Sequence, residues 1–290
     1  MTRLTIPKTY KLYINGQFPR TESGRSLRID DTKGELLANI CHGSRKDIRN
    51  AVEAASKASG GWAKRTAYNR GQILYRMAEM LEGKREEFAV LIKSSTGDSI
   101  AQARKEVDAA IDRLVSFAGW ADKFAQVLGC NNPVAGPYYN FTIPQPLPVV
   151  AVIAPDEPSL LGLISLIAPP LSAGSAIVAV ASEKYPIPAA IFAEVCATSD
   201  VPPGVINLIT GIRTELLETI SNHRTIAGIS AANLPPEEST ILQGGAAENI
   251  KRIHIQTLTD DDWSDPEQCE SPWSIEPFLD FKTIWHPASV

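Results

Sequence analysis

The chain has 290 residues, 44% hydrophobic and 21% charged, proportions close to the average for soluble globular proteins and sufficient for one large core or two modest ones. A formal net charge of -5, spread over mixed-sign stretches without a basic block, excludes nucleic acid as the expected partner. The opening MTRLTIPKTYKLYING has no apolar run of signal-peptide length, and the longest apolar region, Pro146 to Pro155, is far short of a membrane span; a cytoplasmic protein without membrane contact is expected.

Tyr10 to Gly16 alternates and ends at Asn15-Gly16, a dipeptide suited to the positive φ angles of a hairpin turn. Asp47 to Ser59 reads as a helix. Ile73, Leu74, Met77, Met80 and Leu81 share one face of a second helix, and Val107, Ile111, Leu114 and Ala118 one face of a third that ends near Lys123. Each stripe is read as core.

From Gln126 to Leu147 the helical period vanishes, and prolines punctuate short Val, Tyr and Phe runs; an exposed β-hairpin arm is predicted, because proline is tolerated on edge strands. An α/β rhythm follows. Val149 to Ala154, Ala176 to Val180 and Val205 to Ile209 are apolar runs, separated by helices over Leu160 to Leu171 and Pro188 to Ala197. Continuous apolar strands alternating with helices predict a parallel sheet covered on both faces, with ligands at the carboxyl ends of the strands.

Thr257 to Pro272, with Asp260, Asp261, Asp262, Asp265 and Glu267, reads as an acidic linker, and Phe278 to Trp285 alternates as a terminal strand. Cys41, Cys130, Cys196 and Cys269 stand far apart, so neither a disulfide framework nor a zinc knuckle is signalled. His42, His223, His254 and His286 have no acidic or thiol partners nearby in sequence, and no metal site is expected.

These residues resemble the aldehyde dehydrogenase superfamily from Lys11 to about Ile250. KLYING, Lys11 to Gly16, is similar to its opening strand, and GWAKRTAYNRGQILYRMAEMLE, STGDSIAQARKEV and FAGWADK to its first long helices. VVAVIAP, IAPPLSAG and VPPGVINLITG resemble its cofactor-domain core; Gly244-Gly245 with Asn249 resembles the segment leading into its catalytic domain, and FKTIWHP its terminal strand. The likeness is nearest to the degenerate second domain of the two-domain family 16 aldehyde dehydrogenases.

The resemblance implies an α/β, Rossmann-like domain over 1–124 and 149–256, an oligomerisation arm and terminal strand over 125–148 and 273–290, and the acidic linker 257–272 in place of the catalytic domain. Only about forty residues follow Gly245, too few for a further domain plus a strand. Both ends resemble family termini, so the loss is read as internal.

The family's chemistry needs a cysteine thiolate, an oxyanion site, a dinucleotide and a general base. Cys269, in PEQCESP, bears only a faint likeness to the nucleophile's G-Q-x-C surroundings, and no helix terminus or cation is signalled to lower its pKa. The oxyanion-binding asparagine aligns with Glu157, where losing one donor costs about 3 kcal/mol and a like charge more. Asp156 and Glu157 are expected instead to cap a helix beginning near Ser159. The base aligns with Leu242, with Gln243 pointing elsewhere in a regular strand. No catalytic residue is therefore assigned.

The resemblance gives Ala154, Pro155, Ser182, Glu183 and Gly211 as the cofactor-binding positions. The ribose-binding lysine is missing, however, and Glu237-Glu238 after Pro235-Pro236 bring negative charge to where phosphate would lie. No resident cofactor is expected, with NAD or NADP as the alternative.

The leading expectation is a non-catalytic assembly or regulatory protein that pairs with itself or with a full-length aldehyde dehydrogenase, Trp285-His286 packing at the subunit seam. The alternative is an NAD(P)-dependent aldehyde oxidoreductase component completed in trans by another subunit. A small-molecule sensor using the strand-end crevice is a third.

Overall fold

The computed structural model describes residues 6–288. Strands β1 (Lys8–Tyr10), β2 (Ser26–Asp30) and β3 (Leu36–Cys41) open the chain as a small sheet in which β3 lies between the other two. The Asn15-Gly16 turn forms as expected, with φ of 54° and 73° and paired 3.0 Å bonds between Ile14 and Gln17, but it closes a single bridge rather than a long hairpin.

Four helices follow: α1 (Arg45–Ala63), α2 (Ala67–Gly83), α3 (Arg85–Thr96) and α4 (Ile100–Trp120). Ser44 and Asp47 close a capping box at α1, Ser99 and Gln102 another at α4, and Thr66 caps α2, so each start satisfies amide groups that the helix itself leaves free. The α4 stripe is rotated slightly from the sequence reading: Val107, Ala110, Leu114 and Phe117 are fully buried, and Ile111 and Ala118 lie at its margin. Sequence reasoning missed α3, because only Lys84 separates it from α2. A short helix, α5 (Phe124–Leu128), leads into β4 (Cys130–Asn132) and β5 (Tyr138–Pro146), the predicted arm.

The central layer is built from β6 (Val149–Ile153), α6 (Leu161–Ala173), β7 (Ala176–Val180), α7 (Ile187–Ala197), β8 (Ile206–Ile209), α8 (Arg213–Asn222), β9 (Gly228–Ala232), α9 (Pro236–Asn249) and β10 (Arg252–Gln256). Its five strands run parallel in the order β10-β9-β6-β7-β8. Successive residues of β6 enter opposite cores: Val150 and Val152 pack into one apolar cluster with α2, α4 and α6, and Val149, Ala151 and Ile153 into another with α1, α8 and α9. Burial of both faces is why these strands are apolar without alternation.

Residues 257–272 are not a linker. They fold into α10 (Asp260–Ser264) and α11 (Pro266–Cys269), followed by 3-10 turns at Pro272–Ser274 and Glu276–Phe278, and Trp263, Cys269, Ile275 and Phe278 join the main core. The acidic side chains cap and border these short helices while the apolar ones insert, so charge alone gave the wrong reading. Arg113 on α4, 1% exposed, fastens the segment by donating to Trp263 O (2.8 Å) and Ser165 Oγ (2.7 Å); Trp120 Nε1 donates to Glu270 O (2.7 Å).

The segment delivers the chain to β11 (Leu279–Pro287), antiparallel to β5 along its whole length in a sheet ordered β11-β5-β4. Residues 1–5 and 289–290 of the expected domain ranges lie outside the described residues. Among the described residues no helix is long and apolar enough to cross a membrane.

Candidate functional site

In an open parallel sheet ligands bind outside the carboxyl ends of the strands, where the winding direction reverses. Here that point lies between β6 and β9. The five positions named from sequence do gather at this end of the sheet: Ala154 and Pro155 follow β6, Ser182 and Glu183 follow β7, and Gly211 follows β8.

Each makes defined contacts within the protein. Gly211 packs so closely on Gly43 that a Cβ would stand 3.1 Å from the Gly43 nitrogen, and Pro155 lies against Gly162 of α6. Gly211 thus serves backbone approach, and Gly162 makes room for the Pro155 ring. Ser182 Oγ donates to Asp156 Oδ1 (3.1 Å) and accepts from the Tyr185 amide (2.9 Å), while Glu183 Oε2 accepts the Arg213 amide at 2.7 Å.

Sequence reasoning missed the residue at the centre. Arg213 is 6% exposed, and its guanidinium holds Asp156 through two 2.9 Å bonds, lies 3.1 Å from Glu238 Oε2, and reaches the Ala154 carbonyl (3.4 Å). Burial raises the Asp156 carboxyl, but the bonds from Arg213, the Lys184 amide and Ser182 outweigh it and hold the pKa below the ordinary value. For Glu238, burial outweighs Arg213 and the pKa is raised. Burial likewise lowers Arg213, but Asp156 more than compensates, and the guanidinium stays charged.

Asp156 and Glu157 do not cap the following helix. Asp156 turns to Arg213, Glu157 pairs with Lys184 at 2.9 Å, and Glu106 of α4 supplies the cap, Oε1 accepting the Leu160 and Leu161 amides at 2.8 and 3.3 Å.

The glycine pair needs a similar correction. Leu242, Gly244 and Gly245 lie within α9 rather than on a strand, and Gly245 is packed against Ser221. The element leaving the sheet is β10, whose last residue is Gln256, an amide that accepts no proton at neutral pH.

Cys269 is buried at the end of α11, its thiol 3.3 Å from Asp262 O. A cation is in fact nearby, since Arg113 interacts with it, yet burial prevails and raises the thiol pKa. His42 also has an acidic neighbour that sequence distance hid, its Nε2 lying 3.3 Å from Glu215. Among the described residues no group of three His, Cys, Asp or Glu is arranged to hold a metal ion.

The family model for the aldehyde dehydrogenase family matches residues 19–257. The chain belongs to that family. The match ends just after β10, so α10, α11 and β11 lie beyond it. Omega-crystallin of Enteroctopus dofleini is 30% identical over 253 residues, 86% of this chain and 50% of its own. Mitochondrial benzaldehyde dehydrogenase of Antirrhinum majus is 29% identical over 250 residues, covering 85% and 46%.

Among solved structures, the NAD+ complex of an aldehyde dehydrogenase from Bacillus cereus superposes with a TM-score of 0.81 at 27% identity, over 86% of this chain and 51% of that one. An aldehyde dehydrogenase from Brucella melitensis biovar abortus 2308 gives 0.82 at 25% identity, over 86% and 51%. The chain therefore spans about half the length of these relatives. Their shared architecture is the parallel sheet with helices on both faces.

Proposed function

We propose that this family member is a non-catalytic assembly or regulatory partner that pairs with itself or with a full-length aldehyde dehydrogenase. The carrying observation is the ion cluster in the strand-end crevice. Arg213 pairs with Asp156 and Glu238, and its backbone amide with the Glu183 carboxylate, where a dinucleotide would need open donors and space. A phosphate entering there would meet Glu238 in the first turn of α9, and like charge cancels the attraction of a helix N-terminus.

Two further features support the reading. The buried Cys269 thiol is a poor nucleophile, and β11 presents a nine-residue edge with Phe281 and Trp285 exposed and Tyr138 stacked edge-on against Trp285. An open strand edge with exposed aromatics is suited to pairing with another chain.

The alternative, an NAD(P)-dependent aldehyde oxidoreductase component completed in trans, draws on the cofactor-bound relatives of the same fold and on Ser182 and Glu183. Native mass spectrometry of the chain, alone and mixed with a candidate full-length aldehyde dehydrogenase, tests the assembly reading. A discrete homo- or hetero-oligomer is expected. Monomer in both samples would defeat the reading.

A further inference from the structure

The outer faces of α2 and α4 form an open groove of about 800 Å³. Its floor is low where the helices cross, because Gly71 packs on the Ala118 carbonyl and a Cβ on Gly119 would meet nothing within 4 Å. Along α2 the exposed residues Tyr68, Gln72, Tyr75, Arg76 and Glu79, with Arg65 just before the helix, recur at intervals of three and four and make one stripe. Tyr68 is 68% and Tyr75 52% exposed, and tyrosine is a residue that interfaces favour over open surface.

The charges of the groove match neither an acidic nor a basic partner. Arg65, Arg76 and Lys123 are balanced by Glu79, Asp122 and Asp200, and two of these pairs, Arg76–Glu79 and Lys123–Asp122, already close at 3.0 Å. The signs are nevertheless ordered along α2. Arg65 stands at one end, its guanidinium bonded to the neutral Asn69 side chain (2.6 Å), and Glu79 stands at the other.

Turned end for end about Gln72, the stripe matches itself. Arg65 then falls opposite the partner's Glu79, Tyr68 opposite the partner's Arg76 and Asn69 opposite the partner's Tyr75, because the members of each pair lie equally far from residue 72. These are an ion pair, a cation–π pair and a polar-aromatic pair, and no like charges meet. Sliding one helix by a turn would set Arg76 against the partner's Lys64 instead.

We propose that a second copy of this chain docks on this groove, α2 crossing α2 antiparallel about a two-fold axis at Gln72. The interface is isologous, so each of its contacts occurs twice. The inference rests on the self-pairing part of the reading above and gives it a face distinct from the β11 edge.

Sedimentation velocity of the full chain and of Arg65→Glu, Glu79→Arg and the double variant tests it. All these side chains are exposed, so the variants should fold. Each single reversal sets like charges together at two symmetric places and is expected to weaken self-association about tenfold or more, and the double variant is expected to restore it. In a Cys130→Ser background, Gln72→Cys should give a reducible covalent dimer on mild oxidation. No self-association at up to about 100 µM, singles that associate as well as the parent, or a double variant no better than the singles overturns the inference. Association that is lost in Trp285→Ser but indifferent to the α2 changes also overturns it, and leaves the assembly reading standing. So does a chain that is monomeric alone yet binds a full-length aldehyde dehydrogenase.

Discussion

Arg213 organises the charges at the carboxyl end of the sheet. Its charge is neutralised by Asp156 and Glu238, and removing it would strand two carboxylates in a space built around a cation. Arg213→Ala should therefore cost about 3 kcal/mol in urea unfolding, toward the lower end for a broken buried pair because Asp156 is one-third exposed. The pH dependence has a definite sign. Asp156 has a folded pKa below its unfolded value of 3.8, so its contribution is complete above that value and is lost as pH falls through the folded pKa. In Arg213→Ala that acid-side loss should shrink. A thermal-shift titration completes the test: the unaltered chain should not respond to NAD or NADP, whereas saturation at one hundred times Kd would add about 2.7 kcal/mol and favour completion in trans.

At the scale of elements, the helical layer depends on close approach as much as on apolar area. Gly71 of α2 sits against α4 so that a Cβ would stand 2.7 Å from the Ala118 carbonyl oxygen, a backbone atom that cannot swing aside. Gly71→Ala should force the helices apart and destabilise by about 1–3 kcal/mol, despite the better helix propensity of alanine, and equilibrium unfolding reads the sign. Neighbouring Arg70 and Trp62 complete the end of α6. Arg70 Nε donates to Ser172 O and Trp62 Nε1 to Leu171 O, both at 3.0 Å, satisfying carbonyls in a buried last turn.

Legibility at this scale followed side-chain character. The apolar runs of β6, β7 and β8 were placed to within about a residue, because burial on both faces leaves a continuous signal. Strand β9, Gly228–Ala232, has a single branched side chain and gave no such signal, although every residue of it is buried. Edge strand β10, with Arg252, His254 and Gln256, gave no apolar run and was not read as a strand. Having lost these two strands, sequence reasoning also set Leu242 and the glycine pair on a strand when they belong to α9.

For the whole molecule, the fastening of 257–278 onto α4 and α6 is the feature that makes one body of the sheet domain and the β11-β5-β4 sheet. Leu147 N donates to Phe278 O (2.9 Å) where the two meet, and Arg113 and Trp120 hold the intervening segment. Arg113→Met should keep the parallel sheet folded and loosen the segment. Amide hydrogen exchange should then speed up within 257–278 while protection of β6 and β7 is retained; equal loss throughout would mean that the fastening is part of the global core.

The sequence by itself determined the kind of molecule: a parallel α/β sheet, a proline-punctuated arm, a returning strand, membership of a dehydrogenase family, and the five positions around the sheet's carboxyl end. The sheet, arm and returning strand depend on composition, periodicity and local turns, which neighbouring residues carry among themselves, whereas the family and the five positions came from the resemblance of short motifs. Tertiary structure alone decided that the acidic stretch is core, that Glu106 rather than Asp156 caps α6, and that Arg213 pairs with Asp156 and Glu238 beyond the strand ends. Asp156 lies 57 residues from Arg213, and Glu238 25 residues, so a charge that looks like surface along the chain becomes an internal counter-ion only when three strand ends converge.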